Sequence, residues 1–175
     1  MRPESRIKED IYRLCEVLWP ITRSITGNGV RETLSIIQQE ISNLTIHEVP
    51  TGTQCFDWKI PKEWNIKDAY IIDPDGKKII DFQDSNLHVV SYSTPINQTV
   101  PLAELQEHLH SLPEQPNAIP YVTSYYEERW GFCLTENQRK TLKEGNYQVC
   151  INSELSDGSL TYGELIIHGK SEKEV

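Results

Sequence analysis

Helical periodicity in this chain stops near residue 41, and the remainder is written mostly in short strand-length runs separated by turn residues. Before that point, Ile7, Ile11, Leu14 and Leu18 recur at three- and four-residue steps with Cys15 beside them, and Pro20 closes the run. That spacing lines one face of a helix. A glycine-rich turn from Arg23 to Gly29 leads to a second such face, Val30, Leu34, Ile37 and Ile41, with Asn28 placed to cap it. Leu44–Val49 then alternates like a strand and is broken by Pro50-Thr51-Gly52.

Beyond residue 52 the turns set the rhythm. Ala69–Ile72 and Lys78–Phe82 flank Asp73-Pro74-Asp75-Gly76, a hairpin signal because Gly accepts a positive φ. Leu87–Tyr92, Trp130–Leu134 and Tyr147–Ile151 read as further strands. Leu102, Leu105 and Leu109 mark a turn or two of helix, ended by Pro113 and a proline-rich loop. Thr135 and Gln138 have the spacing of a capping box, which predicts a short helix to Lys143. Asp157-Gly158 turns the chain into a last strand, Leu160–Ile167.

This order predicts an α+β protein: an incomplete α/β domain of two helices and two strands, interrupted by a mostly β inserted domain. The boundaries fall at 1–51, 52–157 and 158–175. Strands 44–49 and 160–167 are then neighbours in one sheet. Two helices and two strands cannot bury an α/β core alone, so the layout predicts an exposed face at Val30, Leu34, Ile37 and Ile41.

Composition removes several function classes. The net charge is −9 and the interior basic pairs, Lys77-Lys78 and Arg139-Lys140, are isolated, so no basic stripe exists for nucleic acid. No apolar run is long enough to span a membrane. The first ten residues are charged and lack the apolar core of a secretory signal. Cys15, Cys55, Cys133 and Cys150 are widely spaced, which fits reduced thiols and a cytoplasmic setting.

Several longer motifs carry a resemblance. They are Arg23-Ser-Ile-Thr-Gly-Asn-Gly-Val-Arg31, His47–Thr53, Phe56-Asp-Trp58 with Pro61–Asn65, Ser85–Val90, Thr123–Tyr126, Trp130–Leu134 and Leu160–Glu164. In order and spacing, from about residue 18 to the end, the chain resembles a bacterial zinc-aminopeptidase-like family. The resemblance implies a di-zinc exopeptidase α/β domain, an inserted β domain of unknown function and, often, a C-terminal winged helix. It also implies that the metal ligands begin on the strand after Leu160–Glu164, so no residue here matches a zinc ligand or the general-base glutamate. His168-Gly169 stands where the family usually has Pro-Gly. The expectation is therefore an N-terminal portion that is inactive alone, with zinc only in an intact relative. The rival expectation is a non-catalytic module, built on the inserted domain, that binds a glycan, a peptide or another subunit. Self-association, or pairing with a missing C-terminal portion, follows from the incomplete core.

Two candidate binding features remain, and neither is catalytic. Arg23, Ser24, Thr26 and Gly27 lie just before a helix N-terminus, where free backbone N–H groups bind carboxylates or phosphates. A local glycine turn explains the same residues. Tyr125, Tyr126 and Trp130, with Tyr121 and Phe132, form an aromatic stretch suited to a sugar ring or a peptide wall, or to core packing. His108 and His110 are the one close histidine pair, but positions two apart face different ways on a helix. No Gly-x-Ser-x-Gly elbow exists for a hydrolase triad.

Overall fold

The structure, a computed structural model, describes residues 4–125 and 127–169. Two helices come first, α1 (Glu4–Leu18) and α2 (Asn28–Glu40). Strand β1 (Thr45–Pro50) is next, then the small hairpin β2 (Gln54–Cys55) and β3 (Trp58–Lys59). After these come β4 (Glu63–Ile72), β5 (Lys78–Asp81), a 3-10 turn (Asn86–His88), β6 (Ile96–Pro101) and α3 (Leu102–Glu107). The chain finishes with β7 (Leu109–His110), β8 (Phe132–Cys133), α4 (Glu136–Lys140), β9 (Asn146–Ser156) and β10 (Ser159–Glu164). The architecture is mixed α+β, divided into two compact units: residues 1–62 with 157–175, and residues 63–156.

The discontinuous unit is organised on β1 and β10, which pair antiparallel from Thr45↔Glu164 to Pro50↔Ser159. Strands far apart in sequence are neighbours, as the inserted-domain layout predicts. α2 packs on this ribbon at Gly163, where a Cβ would lie 3.1 Å from Leu34 Cδ2. Val30, Leu34 and Ile37 are therefore half-buried, and the expected exposed face is reduced to Ile41. The other exposed large apolar residues of this unit lie on α1 (Ile7, Ile11, Tyr12, Val17), at Trp19, Phe56 and Tyr162, and at Leu165, Ile166 and Ile167. The last strand ends at Glu164 and not at Ile167, because its partner begins at Thr45 and offers no further ladder positions.

The second unit holds a four-stranded antiparallel sheet in the order β5-β4-β9-β6. Its inner face carries Ala69, Ile71, Ile80, Val100, Tyr147, Val149 and Ile151, and α3, β7 and β8 add Leu102, Leu105, Leu109 and Phe132. A β-bulge between Ile66 and Asp68 reverses the side-chain parity of β4. Trp64 and Ala69 thus both reach the interior despite their odd separation.

Several local expectations change. Leu87–Tyr92 is no regular strand: the 3-10 turn, capped by Ser85, leads into single bridges at Val89↔Phe132 and Ser91↔Thr123. Tyr92 then takes a left-handed φ of 68°, and Ser93 N donates to Val90 O, which turns the chain out of any ladder. Regular pairing within Trp130–Leu134 is limited to Phe132–Cys133, parallel to β7. Asn28 is the first helical residue of α2 and not its cap; Gly27, at φ 97°, precedes it, and Asn28 Oδ1 accepts from Arg31 instead. The capping box of Thr135 and Gln138 is present, with its helix ending at Lys140.

Candidate functional site

The Arg23–Gly29 loop lies wholly in the discontinuous unit. Arg23 donates to the Leu18 carbonyl at 2.7 Å, at the C-terminal end of α1. That end carries no basic residue of its own in its last turn, so the guanidinium complements the helix dipole there. Thr26 is buried, and Ser24 half-buried. Gly29 presses on the same loop, since a Cβ would meet Thr22 O at 1.9 Å. The loop is folded tightly onto the start of α2, and Arg23, the residue best suited to hold an anion, has a backbone carbonyl as partner.

The aromatic stretch lies in the second unit, and the structure divides it. Tyr121 and Tyr125 meet through their hydroxyls at 3.1 Å, and Tyr125 stands edge-on to Tyr92 at 5.1 Å. Tyr92 stacks on Trp64, whose indole N–H donates to Ser93 O at 2.9 Å. Tyr121 is 63% exposed as a residue, yet burial around its hydroxyl and the bond to Tyr125 push its pKa up to about 12. Trp130 belongs to a different contact group. His108 stacks on it at 3.6 Å with a 14° interplanar angle and hydrogen-bonds its carbonyl through Nδ1, while Phe132 meets it edge-on. One face of the indole is thus covered by an imidazole. Tyr126 lies outside the described residues.

The histidines do not converge on a metal. His110 is held below the ordinary imidazole range first by burial, then by Arg129, Arg139 and His108. His47 stacks on Tyr162 and lies 3.4 Å from Glu164, without hydrogen-bond geometry. Among the described residues no three His, Cys, Asp or Glu side chains are grouped to hold an ion.

The second unit also holds a concavity that its sequence does not announce. A cavity of about 600 Å³ lies between the β4–β5 turn and the α4–β9 connection. Ile80, Leu134, Leu142 and Tyr147 form its apolar lining. Asp73, Asp75, Lys77 and Lys143 stand at its polar side, with Lys143 paired to Asp75 at 2.9 Å. The clue in the sequence is the clustering of both charge signs in Asp73–Lys78, which also reads as an ordinary solvated turn.

Comparison with known proteins adds the lineage. Residues 63–154 match the family described as "Domain of unknown function (DUF2172)". A Clostridium acetobutylicum protein named "Putative polysaccharide biosynthesis protein with aminopeptidase-like domain" is 55% identical over 166 residues, covering 95% of this chain and 38% of that protein. A crystal structure of a "putative peptidase" from the same organism is similar with a TM-score of 0.90 and 54% identity, covering 97% of this chain and 40% of that one. The chain spans about two fifths of the length of these relatives. With the second unit matched almost end to end and the strand ribbon shared with an aminopeptidase-like relative, the chain belongs to the aminopeptidase-like family that carries this domain of unknown function.

Proposed function

We propose that this chain is the N-terminal portion of a di-zinc aminopeptidase-like hydrolase and does not hydrolyse peptides by itself. The observation that carries the reading is the mismatch between lineage and donor set. The relatives are named for peptidase and aminopeptidase-like domains, while no three metal-ligating side chains come together among the described residues. This chain's part is structural: the β1–β10 ribbon and its two helices form one margin of a hydrolase domain, and the 63–156 unit stands as an insert. Four free thiols fit a reducing compartment, and the cytoplasm is the proposed location. No helix among the described residues is long and apolar enough to cross a membrane.

Zinc content and hydrolysis of amino-acid p-nitroanilides, measured on the purified chain with added zinc, test this. The expected result is substoichiometric zinc and no turnover above buffer. Stoichiometric zinc together with turnover that a chelator removes would overturn it. The second reading, a binding module, is favoured by the cavity in the 63–156 unit.

A further inference from the structure

We propose that β6, one edge of the four-stranded sheet, is a dimerisation edge that pairs antiparallel with β6 of a second copy of this chain. The proposal rests on the sheet of the 63–156 unit and is independent of the hydrolase reading.

The two edges of that sheet are built differently. The order β5-β4-β9-β6 leaves β5 and β6 outermost. Natural edge strands are blunted against further pairing by shortness, charge, bulges or proline. β5 has three of these devices. It is four residues long, its first and last residues, Lys78 and Asp81, form an ion pair at 2.8 Å, and its register with β4 shifts between Ile71 and Ile72. β6 is six residues long, pairs with β9 without a shift, and carries no charged side chain. Its proline, Pro101, comes last, and Asn97, Gln98 and Thr99 are exposed.

Backbone parity decides which groups face outward. Leu102 N donates to Gly145 O, one step beyond the Pro101↔Asn146 pair. Hydrogen-bonded and non-bonded pairs alternate in an antiparallel ladder. Val100, Gln98 and Ile96 therefore bond to β9, while Thr99 and Asn97 turn both N–H and C=O away from it. Among the described residues these outward groups have no backbone partner. Pro101 falls in the outward set, where its missing N–H takes nothing from the β9 ladder.

A second β6 completes this pattern. With Gln98 opposite Gln98 of the second copy, Asn97 lies opposite Thr99 of that copy. The outward N–H and C=O groups of both residues then bond in two reciprocal pairs. The same register sets Ile96 opposite the second copy's Val100 on the side that faces the core. Asn and Thr, and the two Gln, are mutual hydrogen-bonding partners. Each copy has a net charge of −9, yet no charged side chain stands on this seam. A free extended peptide could use the same groups, but it must order every residue on binding, which costs more than its hydrogen bonds return. β6 is already fixed by β9, so a second copy incurs little of that cost. The seam is short, which makes the dimer weak.

The test is sedimentation equilibrium and amide hydrogen exchange on the full chain, from about 10 µM to about 1 mM. The expected result is a monomer–dimer equilibrium with a Kd on the order of 100 µM. Exchange at Asn97 and Thr99 should slow as concentration rises, while Gln98 and Val100, held by β9, are slow throughout. The variant with Asn97→Lys and Thr99→Lys should dimerise about tenfold more weakly, and so should the one with Asn97→Glu and Thr99→Glu, because each sets like charges opposite one another. An equimolar mixture of the two should dimerise again, since unlike charges then meet. Ile11→Ser, on the exposed face of α1, should leave the dimer unchanged. A monomer at about 1 mM would overturn the proposal. So would association that Ile11→Ser abolishes and the edge charges leave intact, or exchange at Asn97 and Thr99 that ignores concentration. The exchange measurement uses the unaltered chain, so a variant that fails to fold does not rescue the proposal.

Discussion

The two units use similar residues in opposite ways. Among the described residues, seventeen of the buried apolar side chains lie in 63–156 and two, Leu44 and Ile60, in the discontinuous unit. Among the same described residues exposure runs the other way: eleven large apolar residues are exposed in the discontinuous unit, and Tyr121 in 63–156. Both units carry amphipathic elements, so the difference is not one of sequence pattern. It is one of completion. A four-stranded sheet with α3, β7 and β8 over one face closes around its own core. A two-stranded ribbon with two helices has too few elements to do so.

The largest expected effect of this difference appears on dissection. Residues 63–156 expressed alone should unfold cooperatively in urea, while 1–62 joined to 157–175 by a short linker should bind a hydrophobic dye and aggregate. Cooperative, dye-free behaviour of the second piece would erase the comparison. Single substitutions repeat it on a smaller scale. Phe132 is fully buried, and Phe132→Ala should cost about 3–5 kcal/mol in urea unfolding. Ile11 is 59% exposed, and Ile11→Ser should change stability by less than about 0.5 kcal/mol. Comparable losses at both positions would mean that α1 is packed after all.

Gly29 tests whether the discontinuous unit has any rigid point. Its α-carbon sits against the Thr22 carbonyl, and backbone cannot step aside as a flexible side chain does. Gly29→Ala should therefore cost about 1–3 kcal/mol in that unit and leave amide exchange in 63–156 unchanged. Unaltered exchange throughout would show that the loop yields freely.

How much of this was legible depended on how local the determinant was. The Asp73–Gly76 hairpin, the Thr135–Gln138 capping box and both long helices follow from neighbouring residues, and all are present. The β1–β10 pairing was legible because a mostly β stretch reads as an insert between the two strands, which leaves them as neighbours. The start of β4 was not, because the bulge at Lys67 breaks the alternation that a strand reading relies on. β6 was missed because Asn97, Gln98 and Thr99 are all exposed on an edge strand, which leaves no apolar alternation to see. Of the candidate site residues, Arg23 and Trp130 have local partners, Leu18 and His108, that composition could not assign. The cavity joins the β4–β5 turn to the α4–β9 connection, segments brought together only in the folded chain.

The smallest effect is a pH dependence confined to the closed core. Cys133 is fully buried, and burial pushes its thiol up from 9.0 to about 12. The folded state thus favours the protonated thiol. Its contribution is fully present below pH 9 and is lost as pH rises from 9 toward 12, where the unfolded chain ionises and the folded one does not. Near pH 10 the loss amounts to about 1.4 kcal/mol, one pKa unit's worth. Tyr121, raised to about 12, and Tyr70 and Tyr147, both raised from 10.0, add losses of the same sign that set in as pH approaches 10, so Cys133 dominates just above pH 9. Urea midpoints at pH 8, 9 and 10 should fall more steeply for the wild type than for Cys133→Ala, which starts lower because of the space it leaves. Exposed Cys15 and Cys55 supply the contrast: both should react with a thiol reagent in the native state, while Cys133 waits for unfolding. Parallel pH curves for the two proteins would show that the core admits hydroxide, and the division between a closed unit and an open one would lose its sharpest chemical mark.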